Sequence, residues 1–164
     1  EYVILGHSER REISEEDSLI NKKVIAALDH GLKPILCIGE TYEQRLKEET
    51  EDVLEDQLIK CLGGVDKIKN VIVAYEPVWA ISKGNPNAKA ATKADAEDAH
   101  IFIRKLLEGM YDEDATKNTR IIYGGSMKPE NAKELFSMPN IDGGLVGNAS
   151  LDAKSFAEIV KSAR

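Results

Sequence analysis

The sequence predicts an α/β fold built on a parallel sheet. Short apolar runs recur along the chain, each ends in a polar or glycine-rich turn, and each is followed by a helix-like stretch. The runs are YVILGH, KPILCIGE, VIVAYEP, RIIYGGS and GGLVGN. Strand–helix alternation of this kind means right-handed crossovers between parallel strands. It fits a doubly wound sheet or part of a (β/α) barrel. In both, the ligand lies at the carboxyl ends of the strands.

Each helix has its own signals. Leu19 to Leu28 places Leu19, Ile20, Lys23, Val24 and Ala27 near one face, and His30-Gly31 supplies the stop. Tyr42 to Leu62 reads as one long charged helix, with Leu46, Val53, Leu54, Leu58 and Ile59 as its apolar stripe and Gly63-Gly64 as its end. Asp95 to Met110 carries Ala99, Phe102, Ile103, Leu106 and Leu107 at helical spacing. Asn131 to Phe136 follows Pro129, a first-turn proline, and Ala153 to Val160 follows Asp152, a helix cap. No linker or low-complexity tract interrupts the order, so residues 1–164 are expected to form one domain.

Apolar content of 42% and charged content of 31% suit a globular protein. The formal charge of −7 argues against nucleic acid or an anionic membrane as partner, because both need a basic face. It leaves room for a small anionic ligand held by local donors. Cys37 and Cys61 lie far apart and in no metal-binding spacing, which reads as two reduced thiols in a cytoplasmic protein. No signal peptide is evident, and no apolar run approaches the ~20 residues of a membrane span. The chain starts at Glu1 rather than methionine and leads straight into YVILG, as if entered mid-fold. No G-x-G-x-x-G or G-x-x-x-x-G-K-[ST] nucleotide fingerprint appears.

Polar residues crowd the strand ends. Glu76 closes the apolar run Val71 to Ala74 and is followed at once by Pro77. A carboxylate there is costly unless something satisfies or uses it. It either closes a structural ion pair or does chemistry. His7 follows the first run inside GHSERR; alone, such a histidine is as well explained by a backbone partner. The glycines beside Ser126 in YGGS, and Gly147-Asn148 before a helical turn, suit backbone N–H groups presented to an anion. Together these supply a base, an electrophile and an anion cradle. A carboxylate and a neutral imidazole facing one substrate are suited to moving a proton next to a carbonyl, and the cradle suggests a phosphorylated one.

The blocks YVILGHSERR, LKPILCIGET, AYEPVWAI, IIYGGSM and DGGLVGNASL occur in order and resemble the triosephosphate isomerase family. The resemblance covers essentially the whole chain, and AYEPVWAI with GHSERR is highly specific. The co-occurrence of these two blocks disfavours another phosphate-binding βα enzyme using the same rim. The resemblance implies a partial (β/α)8 TIM barrel of five consecutive units, four to eight. It implies interconversion of glyceraldehyde 3-phosphate and dihydroxyacetone phosphate without metal or organic cofactor. Glu76 then matches the proton-shuttling base and His7 the neutral electrophile; the pair is a worked case of acid/base tuning in this family. Glu9 matches a supporting carboxylate of the same site. Ser126, Gly147 and Asn148 match the phosphate grip, with Ser82 contributing from a lid loop. Pro77, Val78 and Trp79 match the hinge of that lid. Cys37 matches a buried packing cysteine, and Arg11 with Glu16 is expected to form a structural ion pair. A homo-oligomer, a dimer in the family, is implied as well.

Three departures stand out. The lid stretch from Ser82 to Ala91 is about four residues longer than the family's, and Ser82 and Lys83 replace glycine and threonine. Asn148 replaces a common glycine, which asparagine's tolerance of left-handed backbone would accommodate. The family's catalytic lysine lies in the first of the missing N-terminal barrel units, roughly 90 of the ~250 residues typical of a barrel. Five strands leave open edges. The alternative is therefore a non-catalytic half-barrel that needs those units, or another chain, for activity.

Overall fold

The computed structural model describes residues 1–81 and 90–163. Its strands are β1 (Tyr2–Leu5), β2 (Lys33–Ile38), β3 (Ile72–Tyr75) and β4 (Ile121–Tyr123), in one sheet of order β1-β2-β3-β4. Every pairing is parallel, with Leu5 opposite Leu36, Leu36 opposite Val73 and Val73 opposite Ile121. The helices are α1 (Ser8–Glu12), α2 (Asp17–Asp29), α3 (Tyr42–Leu46), α4 (Thr50–Leu62), α5 (Lys93–Met110), α6 (Glu113–Thr116), α7 (Pro129–Phe136) and α8 (Ala153–Ser162).

One face of the sheet is the core. Leu36, Ile38, Val73, Tyr75, Ile121 and Tyr123 are buried against Ile20 and Val24 of α2, Leu54 and Leu58 of α4, and Ile103 and Leu107 of α5. Strand side chains alternate between faces, so Tyr2, Ile4, Ile72 and Ile122 point the other way. Tyr2 and Ile4 are each 50% exposed there. His100 of α5 is buried edge-on to Tyr75, its Nδ1 3.0 Å from the Asn140 carbonyl oxygen, and burial lowers its pKa to about 4.

Several sequence expectations change at the level of elements. The fifth apolar run lies beside β4, where Asp142 N–H and Leu145 N–H donate to Ile121 and Tyr123 carbonyls and Tyr123 N–H donates to Gly143. It forms a single parallel bridge, Tyr123 with Gly144, rather than a ladder, because its glycines offer no side chain to pack and, among the described residues, no further strand lies outside it. The long helix from Tyr42 breaks into α3 and α4, with Glu48 in the left-handed region at φ 61°. Thr41 caps α3 through a reciprocal capping box with Gln44. Pro129 opens α7 and Asp152 caps α8 as expected. Arg11 pairs with Asp17 at 2.6 Å and not with Glu16, which serves as the N-cap position of α2. The buried acid of this loop is Glu15, held by Arg10 and Lys23, which keep its carboxyl below the usual range.

Candidate active site

Glu76 follows β3 directly, and its backbone N–H donates to the Ile38 carbonyl at 2.7 Å, extending the ladder by one residue. Gly39 permits this close approach, since a Cβ there would sit 1.9 Å from the Glu76 carbonyl oxygen. The Glu76 side chain leaves on the face opposite the helices and is 3% exposed. Its Oε2 accepts the Ser8 backbone N–H at 2.9 Å, its Oε1 accepts the Ser8 hydroxyl at 2.9 Å, and His7 Nε2 lies 2.9 Å from Oε1.

Those partners favour the charged carboxylate, but burial outweighs them and raises its pKa above the ordinary glutamate value. Arg11 contributes only a distant attraction, its guanidinium being occupied by Asp17 and by the Gly6 and Cys37 carbonyls. A buried carboxylate without a bonded cation is a proton acceptor in waiting.

The imidazole is oriented from the other side. His7 is the N-cap of α1, and its Nδ1 accepts the Glu9 backbone N–H at 3.3 Å. A nitrogen that accepts carries no proton, so the ring is neutral in this arrangement and its hydrogen sits on Nε2. Nε2–H donates to Glu76 and would donate equally well to a carbonyl oxygen seated between them.

Both groups line a cavity of about 540 Å³ together with Ile4, Glu9, Ile81 and the loops after β4 and after the fifth run. Ser126, Gly147 and Asn148 form its far wall. Ser150 folds back onto the Gly147 carbonyl through both its N–H, at 2.9 Å, and its hydroxyl, at 2.7 Å. Among the described residues, the backbone N–H groups of Ser126, Gly147 and Asn148 donate to no protein acceptor. They are free donors for an anion. Asn148 does not adopt the left-handed backbone expected for it; among the described residues, those with positive φ other than glycine are Ser14 and Glu48.

Of the residues singled out in the sequence, His7, Glu9, Glu76, Ser126, Gly147 and Asn148 meet around this one cavity. Pro77, Val78 and Trp79 do not line it; they form the turn that leaves it, with Val78–Ala80 in a 3-10 helix. Ser82 lies outside the described residues, as does the stretch to residue 89. Cys37 is fully buried, and burial with the nearby Glu76 carboxylate pushes its thiol pKa far up, which suits packing and not nucleophilic chemistry.

Two parts of the arrangement escape sequence reading. Ser8 grips Glu76 with two donors, and its only signal is its place at the first turn of a helix following a strand end. Glu40 is the second. It is completely buried and accepts the Tyr75 hydroxyl at 3.1 Å, Trp79 Nε1 at 2.7 Å and the Thr50 hydroxyl at 3.4 Å. Arg45 stands 3.5 Å from it, stacks 4.0 Å over the Trp79 ring and pairs with Asp95 at the start of α5.

The family model described as Triosephosphate isomerase matches residues 1–163. Among curated proteins, the triosephosphate isomerase of Chlorobium phaeobacteroides is 52% identical over 162 residues, covering 98% of this chain and 64% of its own length. That of Chloroherpeton thalassium is 52% identical over 167 residues, covering 99% and 64%, and that of Rhodopirellula baltica 51% over 165, covering 99% and 63%. The chain thus spans a little under two thirds of the curated relatives it matches.

Proposed function

The chain belongs to the triosephosphate isomerase family, and from that premise we propose that it carries the proton-transfer half of an isomerase site. The reaction interconverts glyceraldehyde 3-phosphate and dihydroxyacetone phosphate. Glu76 takes the proton from the carbon beside the substrate carbonyl. His7 Nε2–H hydrogen-bonds the carbonyl oxygen as negative charge develops there. Glu76 then returns the proton to the neighbouring carbon, while the hydroxyl proton passes by way of His7 Nε2 from the one oxygen to the former carbonyl oxygen, so that the carbonyl moves to the carbon that lost its hydrogen. No electron or group is lost, so no cofactor is needed.

The observation that carries this reading is the His7–Glu76–Ser8 cluster facing free backbone donors across one cavity. Ser126, Gly147 and Asn148 grip the phosphate, and Glu9 supports the imidazole through its backbone N–H. Pro77, Val78 and Trp79 act as the hinge of the segment that follows. Before substrate arrives, Nε2–H and the carboxylate satisfy each other and Ser8. A bound carbonyl takes over the Nε2–H and frees the carboxylate to turn to carbon. Full activity requires the N-terminal barrel units, which bring the family's lysine against the same substrate and close the sheet; the complete protein is a homo-oligomer.

A coupled assay for the two triose phosphates tests this, run on the 164-residue chain, on the chain mixed with an N-terminal segment of a relative, and on Glu76→Gln in each. The proposal expects turnover only in the reconstituted sample and its loss in Glu76→Gln. Turnover that survives Glu76→Gln would remove the base from its role.

A further inference from the structure

At the opposite end of the sheet from Glu76, a hollow of about 210 Å³ lies among the residues that start the strands. Lys33, Lys69 and Arg120 line it with Tyr2, Asn70 and Asn118, and no acidic residue does, in a chain whose net charge is −7. None of the three cations forms an ion pair with a described residue; Lys33 Nζ lies 5.5 Å from the centre of the Tyr2 ring. The side-chain amides of Asn70 and Asn118 likewise hydrogen-bond to no described residue. Other guanidinium groups of the chain are already engaged, Arg11 with Asp17, Arg45 with Asp95 and Arg104 with Asp142.

Parallel topology brings these groups together. Strands that run in one direction gather their first residues at one end of the sheet, just as they gather their last residues around Glu76. Leu36 is buried under the helices, so Lys33, three residues earlier on the same strand, faces away from them. Val73 and Ile121 pair and are both buried, so Arg120, one residue before β4, also faces away. The Arg120 carbonyl accepts the Val73 N–H at 3.0 Å, which fixes its backbone against β3. Lys69 and Asn70 come from the 3-10 turn Ile68–Asn70 that leads into β3. Like charges gathered in a partly enclosed place repel one another until a counter-charge arrives.

We infer that this hollow is a binding site for a small, multiply charged oxyanion, specifically a phosphate group. The guanidinium fork of Arg120 can give a phosphate two parallel N–H bonds, while Lys33 and Lys69 supply point charges and the two amides neutral donors. The volume is several times the ~30 Å³ share of one water and below the ~300 Å³ at which pockets for drug-sized ligands begin. It admits a phosphate group and little more. The inference is independent of the isomerase reading, whose anion donors at Ser126, Gly147 and Asn148 belong to the cavity at the other end of the strands. An anion held here ties together the starts of β2, β3 and β4, and so stabilises the folded chain by mass action. Its source is either free phosphate or the phosphate group of a small metabolite.

The test is a titration of the chain with inorganic phosphate, and separately with glycerol 3-phosphate, at constant ionic strength. It is followed by amide NMR, which reads Lys33, Asn70 and Arg120 apart from Ser126, Gly147 and Asn148. The variants are Lys69→Gln/Arg120→Gln and, should that pair disturb the fold, Lys33→Gln; the amide spectrum itself reports folding. The expected result is a saturable shift of the base amides, with a Kd that rises at least about tenfold in the double variant. The response at Ser126, Gly147 and Asn148 should stay the same, and phosphate should raise the melting temperature less in the variant than in the unaltered chain. Tighter binding of the ester assigns the hollow to a phosphorylated metabolite and tighter binding of phosphate to the free ion; either sustains the inference. Base amides that move no more with phosphate than with sodium chloride of equal ionic strength overturn it, since that is screening alone. Variants that titrate like the unaltered chain overturn it as well.

Discussion

Two carboxylates sit buried at the ends of adjacent strands, and they keep different company. Glu40, two residues beyond β2, is enclosed by Tyr75, Trp79 and Thr50 with Arg45 at its edge. Glu76, directly after β3, has Ser8 and a neutral histidine for company and one side turned to a cavity. The first is tied into the framework by donors that have nowhere else to go. The second keeps a raised pKa because burial is not offset by a bonded cation. Burial alone does not separate a structural acid from a catalytic one; the kind of partner and the open side do.

The contrast can be broken from either end. Glu76→Gln keeps the shape and can still accept the Ser8 backbone N–H, but its amide cannot take up a proton. In the complete protein it should lower kcat about 10²–10⁴-fold, as measured by the coupled assay. Glu40→Ala should act on stability instead. It orphans the buried Tyr75 hydroxyl and Trp79 N–H at ~1–3 kcal/mol each, so urea unfolding should report a loss of roughly 2–6 kcal/mol. The sole tryptophan, Trp79, should change its fluorescence in the same variant.

A subtler difference appears in pH. A carboxylate whose folded pKa is raised binds its proton more tightly when folded than when unfolded. Its presence therefore costs stability as pH climbs from the ordinary glutamate value, ~4.3, through the higher folded value. Glu76→Gln escapes that cost. Its melting temperature should exceed that of the unaltered protein near neutral pH, and the gap should close below ~4.3. Ser8→Ala is the smallest change. Losing the hydroxyl removes one bond to the charged form, so the Glu76 pKa should climb further and the acid limb of kcat/KM should move to higher pH. The midpoint is read from a pH–rate profile.

Much of this was legible in the chain. Glu76, His7 and the two glycine turns stand at the ends of apolar runs, and parallel topology gathers all strand ends onto one rim, so linear order sufficed to bring them together. The Glu40 cluster was not legible, because it joins Glu40, Arg45, Trp79 and Asp95 across loops with no shared period. Arg11 was paired one residue short, since Glu16 and its neighbours are all acidic and only the turn into α2 decides which one faces the guanidinium. The break at Glu48 hides in a run of good helix formers, where one left-handed residue outweighs local propensity. The last strand failed as a ladder for a tertiary reason, lacking a neighbour on its outer side.

The most direct measurement is a carbon-13 NMR titration of the Glu76 side-chain carboxyl, assigned by comparison with Glu76→Gln. A poised base held by burial predicts a midpoint clearly above the ordinary glutamate value of ~4.3. A midpoint at or below that value would mean that His7 and Ser8 hold the carboxylate as an ion, making Glu76 a structural acid like Glu40.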